Sequence, residues 1–446
     1  MNFFQPGENN MPNSGTHRLP RLLGAAVCCT LIGLSVLGCR REEPTLSFVP
    51  NLVHSHKYEI SQGLPMQQTQ QDVIWIVERL FGTASNPMVP AELMEDDAAA
   101  ASFAPDKLKS GGVLYRQLCA NCHGITGDGR GPDGVVLNPY PRDYRKGVFK
   151  FKANERNAKP TLADLHASLR NGLGGTAMKP INELAKRDVS DDEVDAIAHY
   201  VVYLAMRGET ERALVDDAVY ELDLEGGDRW FATEEIDADP SLMNDGDLNQ
   251  ESWEIVEEIT ADILTEWVGA EDTMIQVQRP DTANIPVPET IVELQNALKG
   301  KDAGPLKQSI ARGREVYLGV NASCSKCHGK EGLGNGQVTD YDDWTRDYTE
   351  RVKIKPTDHA ALQPLYVRGA LKPQNILPRN FTEGIYRSGD DVDAMFRKIV
   401  QGIAGSPMPA STFVEGKYTE ADVWHLINFL RSLAPPIEVE PPREST

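Results

Sequence analysis

Two copies of one helical unit, separated by an acidic middle segment, are what this 446-residue sequence predicts. Two observations carry the expectation: capped stretches whose apolar residues recur at helical spacing, and a set of short motifs that occurs twice in the same order. At about 150 residues per domain the length suits two or three domains. With 40% hydrophobic and 25% charged residues, the composition excludes a collagen, a wholly disordered chain and a multi-span membrane protein. A net charge of -21 argues against a nucleic-acid ligand, because phosphate binding needs clustered Lys and Arg.

Taken in chain order, Arg18 and Arg21 precede an apolar run from Leu22 to Leu37 that stops at Gly38-Cys39. About 16 residues is short for a spanning helix and fits a signal-peptide core at 1–38. Val36-Leu37-Gly38-Cys39 resembles a bacterial lipobox, in which Cys39 would be lipidated, although Leu37 is larger than the usual residue there. An uncleaved anchor or an ordinary signal peptide are the alternatives. All three readings export the remainder, to the periplasmic side of a bacterial membrane, and two of them tether it. Residues 39–105 then read as a tether with a short helix from Gln67 to Phe81, marked by Ile74, Trp75, Val77, Leu80 and Phe81.

Of the seven cysteines, Cys28 and Cys29 would leave with the signal and Cys39 would carry lipid. Two pairs remain, each followed at once by histidine: Cys119, Cys122 and His123, then Cys324, Cys327 and His328. Cys-x-x-Cys-His is the attachment signal of c-type haem, in which both thiols form thioethers with the vinyl groups and the His takes one axial position on iron. Two intervening residues let one turn of chain reach both vinyls while the His follows beneath the ring. The alternatives are a redox dithiol, which needs no neighbouring His, and half a zinc site, which needs two further ligands. Two occurrences in an exported chain favour two covalently attached haems.

The motifs sit inside longer repeats. Gly111 and Tyr115 precede the first, Gly313 and Tyr317 the second, both reading as a helix that leads into the site. Glycine-rich chain follows each His, at Gly124, Gly127, Gly129 and Gly131 and at Gly329, Gly332, Gly334 and Gly336. Pro141-Arg142-Asp143-Tyr144 corresponds to Pro378-Arg379-Asn380-Phe381. Met178 lies in a tight loop from Gly175 to Pro180, and Met408 in one from Gly405 to Pro409. Each copy closes on an amphipathic helix with a capping box, Ser190 with Glu193 and Thr419 with Asp422. Val194, Ile197, Val201 and Leu204 form one apolar stripe; Val423, Leu426, Leu430 and Leu433 form the other.

This order of elements resembles a class I c-type cytochrome, present twice and covering about half the chain. The resemblance implies an all-α fold in which the first and last helices of each copy cross beside the haem. Domains are expected at 106–207 and 303–436, joined by an acidic, partly helical segment at 208–302 and followed by a tail at 437–446. It also implies haem-binding roles for Cys119, Cys122, His123 and Met178, and for Cys324, Cys327, His328 and Met408, with the His and Met of each set on iron. A Met between Gly and Pro in a loop has no helical face to fill, and its thioether is a soft sixth ligand that raises the potential relative to bis-His ligation. Met206 and Met395 stand at helical spacing and read as packing residues. His166 and His199, on expected helices, read as structural or solvent-exposed.

His359 competes with Met408. In the second copy 50 residues separate His328 from Pro378, against 18 from His123 to Pro141. The extra chain, in an insert at 337–375, holds Trp344, Lys353, Lys355 and His359 and reads as a surface excursion that shields a haem edge or contacts a partner. Charge is unevenly spread: the balance is -4 over 1–105, +4 over 106–207, -21 over 208–302 and 0 over 303–446. The acidic segment holds Glu234, Glu235, Asp237 and Asp239 and an expected helix from Ser252 to Val268, whose Trp253, Val256, Ile259, Ile263 and Trp267 share a face that should pack against something. Asn244 to Asp247 invites a calcium reading but lacks the ligand spacing of an EF-hand.

The expected function is that of an exported, membrane-anchored dihaem carrier passing single electrons in a respiratory chain between a redox donor and acceptor, themselves membrane complexes. No catalytic constellation is visible. A dihaem peroxidase, or a haem-bearing docking subunit of a larger membrane complex, are the competing readings.

Overall fold

A computed structural model of the chain describes residues 46–90, 97–231 and 250–437. Cys39 and the segment around it, Glu234 to Asp239 and Asn244 to Asp247 lie outside the described residues. The described residues belong to one compact unit. Among the described residues it is helical, with isolated β-bridges and no sheet. None of the described helices is long and apolar enough to cross a membrane.

Each repeat is organised by one helix crossing. The opening helix Pro105–Leu118 crosses the closing helix Asp191–Glu221, and Gly304–Leu318 crosses Glu420–Ser432. A side-chain carbon on Gly111 would run into the carbonyl of Ala196, and one on Gly313 into that of His425, so glycine alone lets these backbones touch. The tyrosine four residues on shares that face. Tyr115 and Tyr317 are fully buried, with ring centroids 5.3 Å from Tyr200 and 5.2 Å from Phe429. Both closing helices start at the expected caps: Ser190 Oγ accepts from Glu193 N at 3.2 Å, and Asp422 Oδ2 accepts from Thr419 N at 2.9 Å.

The closing helices differ in extent. The second ends at Ser432, whereas the first runs 31 residues, through the boundary expected at Arg207, to Glu221. Leu214, Val215 and Ala218 keep the added turns apolar and buried, and helices Met66–Phe81 and Gln250–Val268 both pack on this rod. The described parts of the acidic middle segment, 208–231 and 250–302, therefore belong to the scaffold. Val256, Leu264 and Trp267 are buried, and Trp253 meets Trp75 and Phe231, while Glu251, Glu254, Glu257 and Glu258 stay exposed.

The insert at 337–375 proves to be one contact between the repeats. Its helix Asp343–Val352 lies against Leu52–Gln62. Arg142 pairs with Asp343 at 2.8 Å; Lys57 and Arg212 reach Asp347 at 3.3 and 3.2 Å. Burial alone would raise the Asp347 carboxyl, but Arg212, Lys146 and Lys57 around it hold it well below the usual range. Tyr140 donates to the carbonyl of Lys372 at 3.1 Å, and Gln374 to that of Leu137 at 3.0 Å. The partner that the insert contacts is thus the other half of its own chain.

Candidate functional site

The two Cys-x-x-Cys-His segments are short helical turns set at the end of the opening helices and wrapped by the glycine-rich loops in the same way. Gly129 N donates to His123 O at 2.9 Å and Gly131 N to Cys122 O at 3.1 Å; Gly334 N donates to His328 O at 2.8 Å and Gly336 N to Cys327 O at 3.1 Å. Tyr115 and Tyr317 donate their hydroxyls to the carbonyls of Gly124 and Gly329, at 2.8 and 2.6 Å. The Pro-Arg-aromatic motif then returns behind each histidine. Tyr144 N donates to Gly127 O at 2.8 Å and Phe381 N to Gly332 O at 2.7 Å, which stacks Tyr144 on His123 at 5.0 Å and Phe381 on His328 at 4.5 Å.

That return fixes the histidine tautomer. His123 Nδ1 faces the carbonyl of Arg142 at 3.4 Å, and His328 Nδ1 faces that of Arg379 at 3.0 Å. With Nδ1–H donating to a carbonyl, Nε2 keeps its lone pair for a metal. Burial strengthens the bias by favouring the neutral ring: it pushes His123 down to about 4 and His328 below its ordinary value.

The methionine loops are also built alike. Leu173 N donates to Met178 O at 2.8 Å, Thr176 N to Leu173 O at 3.1 Å, and Met178 N to Thr176 Oγ1 at 3.1 Å. In the second copy Ile403 N donates to Met408 O at 3.2 Å, Ser406 N to Ile403 O at 3.2 Å, and Met408 N to Ser406 Oγ at 3.3 Å. Met178 and Met408 are half-buried, whereas Met206 and Met395 are buried in helix packing. His199 is buried against Phe103, and the His166 ring is half-exposed beside Asp195. His359 is exposed, hydrogen-bonded to Tyr366 at 3.0 Å, on the side of the insert that packs with Val53 and Ile60 and apart from the cluster holding Phe381 behind His328.

The residues fit haem. No disulfide joins the two cysteines of either motif, and burial pushes the Cys119 thiol up to about 12 and that of Cys324 to about 11, the opposite of the acidic thiol that a redox dithiol uses. Among the described residues no three His, Cys, Asp or Glu side chains are arranged so that they could hold a metal ion, so a zinc site finds no further ligands. The buried Nε and Nη1 of Arg379 and Nε of Arg387 have no protein partner, which suits the carboxylate edge of the ring.

Residues 106–201 match the family described as Cytochrome C oxidase, cbb3-type, subunit III, and residues 310–434 match the family described as Cytochrome c. No curated protein matches the sequence. Among solved structures the chain is similar to one from the Kuenenia stuttgartiensis reducing HAO-like protein complex, at 16% identity and a TM-score of 0.41, over 73% of this chain and 96% of that one.

Proposed function

The chain is a tandem c-type cytochrome, and we propose from that premise an exported, lipid-anchored dihaem carrier that passes single electrons between redox partners of a respiratory chain at a bacterial membrane. Cys119, Cys122, His123 and Met178 would hold one haem and Cys324, Cys327, His328 and Met408 the other, each supplying a one-electron iron couple. The protein's own part is ligation, burial and docking. The observation that carries the reading is the pair of Met loops with matching hydrogen bonds, one for each histidine site. A peroxidase needs a site that is open or readily opened to peroxide, and a Met loop in both repeats argues against one. Cys39 in its lipobox-like setting supports the anchor, since two or more acyl chains give lasting attachment where one binds only marginally.

The test is made on protein purified from native membranes. It should take up two electrons per chain and exchange them with a soluble cytochrome without consuming hydrogen peroxide. Catalytic peroxide consumption would instead assign it as a peroxidase. Cys39→Ala should release it from the membrane or block processing, and a mature N-terminus other than Cys39 would refute the anchor. If it stays bound to a larger complex through every step of purification, the docking-subunit reading gains.

A further inference from the structure

Each Met loop is touched by the opposite repeat. Arg156, in the first repeat, donates from Nη1 to the carbonyl of Met408 at 2.7 Å and from Nη2 to that of Ser406 at 3.2 Å. A side-chain carbon on Gly405 would stand 3.2 Å from Arg142 Nη1 and 2.9 Å from its partner Asp343 Oδ2. In the other direction, one on Gly175 would stand 2.6 Å from Arg379 Nη1, and one on Gly174 3.0 Å from the carbonyl of Tyr386. Arg142 and Arg379 are the residues whose carbonyls face His123 and His328. Each therefore touches the histidine of its own repeat through its backbone and the Met loop of the other through its side chain.

The arrangement is uneven. The bonds within the Met408 loop are longer than those within the Met178 loop, 3.2 against 2.8 Å at the closing carbonyl. The carbonyl of Met408 is the one that Arg156 also binds, with a charged donor, which makes a stronger bond than a neutral one. Arg156 is itself placed by the middle segment. Glu155 N donates to Thr273 O and Ile275 N to Ala153 O, both at 3.0 Å, and Arg397, on the helix that leads into the Met408 loop, donates to Ile275 O at 3.1 Å. One stretch of chain thus joins the arginine to the loop it holds.

We propose that Arg142, Arg156 and Arg379 are positioning residues of a reciprocal clasp that couples the two haem sites, with the Met408 loop taking its place chiefly from Arg156. A change in position at either Met loop is then felt at the histidine site of the opposite repeat, and the two sites respond to reduction as a pair. This rests on the reading of Met178 and Met408 as axial ligands.

The test uses the full haem-loaded chain. Arg156→Leu should make amide hydrogen exchange over residues 401–411 about tenfold faster, the factor that goes with ~1.4 kcal/mol for a charged donor lost from these carbonyls. The same variant should weaken the Met-to-iron charge-transfer band of the second site, leave that of the first, and shift both midpoints in a redox titration, that of the second site the more; a shift of one midpoint alone would overturn the coupling. Arg156→Lys should restore part of each effect. Unchanged exchange and spectra would overturn the clasp, as would a rise in exchange spread evenly over the chain, which marks general destabilisation. Met408→Ala separates the two layers: if it leaves the band intact the ligand assignment fails, and if it removes the second site's share while Arg156→Leu does nothing, the clasp alone fails.

Discussion

In the first repeat the closing helix is a rod of 31 residues, with helices from the N-terminal and middle parts of the chain packed on its added turns. In the second it stops after 13, and extended chain of the middle segment lies along it instead, held where Asn428 binds the carbonyl of Pro286 at 2.7 Å and Arg431 those of Pro288 and Glu289 at 2.5 and 2.8 Å. Yet the frame around the histidine, from the Gly111 or Gly313 crossing to the aromatic stack, is the same to within a few tenths of an ångström in its hydrogen bonds. The site is thus set by the motifs that the two repeats share, while the flanks set the way the halves are joined.

The largest expected effect tests that equivalence. Gly111→Ala and Gly313→Ala each place a carbon against a backbone carbonyl at a helix crossing, and each should cost about 3 kcal/mol in denaturant unfolding. Clearly unequal costs would mean that the long rod, and not the local crossing, governs the first repeat.

A pH effect confined to the first half comes next. Burial, with the Arg212 guanidinium nearby, holds His54 down at about 3 against the pull of Asp216. The unfolded chain takes that proton near 6.5, so between about pH 6.5 and 3 the unfolded state holds a proton that the fold does not. This contribution is intact above 6.5 and is lost as pH falls, by ~2 kcal/mol at pH 5. His54→Gln should flatten this part of the stability profile, and an unaltered slope would place the titration elsewhere.

Arg431→Ala, which strips the second repeat of its hold on two carbonyls, should cost about 2 kcal/mol in denaturant unfolding, and a cost near zero would mean that this hold adds nothing to the fold. The smallest effect is kinetic. Glu254, Glu257 and Glu258 face water, and changing all three to Gln should lower the rate of electron exchange with a basic acceptor a few-fold at 0.01 M salt and hardly at all at 1 M, as the Debye length falls from about 30 to about 3 Å. Equal losses at both salt concentrations would give the helix a structural role only.

Much of the site was legible because its parts are local. Cys-x-x-Cys-His, Gly-x-x-x-Tyr, the Pro-Arg-aromatic segment and the capping boxes each span only a few residues and each appears twice, although the return of Arg142 and Arg379 behind the histidines showed only in the fold. The stripe of Trp253, Val256, Ile259 and Trp267 correctly announced a packed helix. What was not legible depends on distance along the chain. Nothing in the pattern stops or continues the helix at Arg207, because the residues after it are apolar only towards a rod whose partners lie more than a hundred residues upstream or dozens downstream. The insert around Asp343 and Asp347 reads as polar surface, and only the fold shows that Lys57, Arg142 and Arg212 wait for it. Arg156 carries no motif at all; its role exists only where Met408 is brought to it.

The central claim is that each repeat carries its own complete His and Met set. It is tested most directly by the Met-to-iron charge-transfer band of the oxidised, haem-loaded protein. Met178→Ala and Met408→Ala should each remove about half of the band, and the double variant all of it. Loss of the whole band in one variant with none in the other would contradict the account and bring His359 forward as the second repeat's ligand.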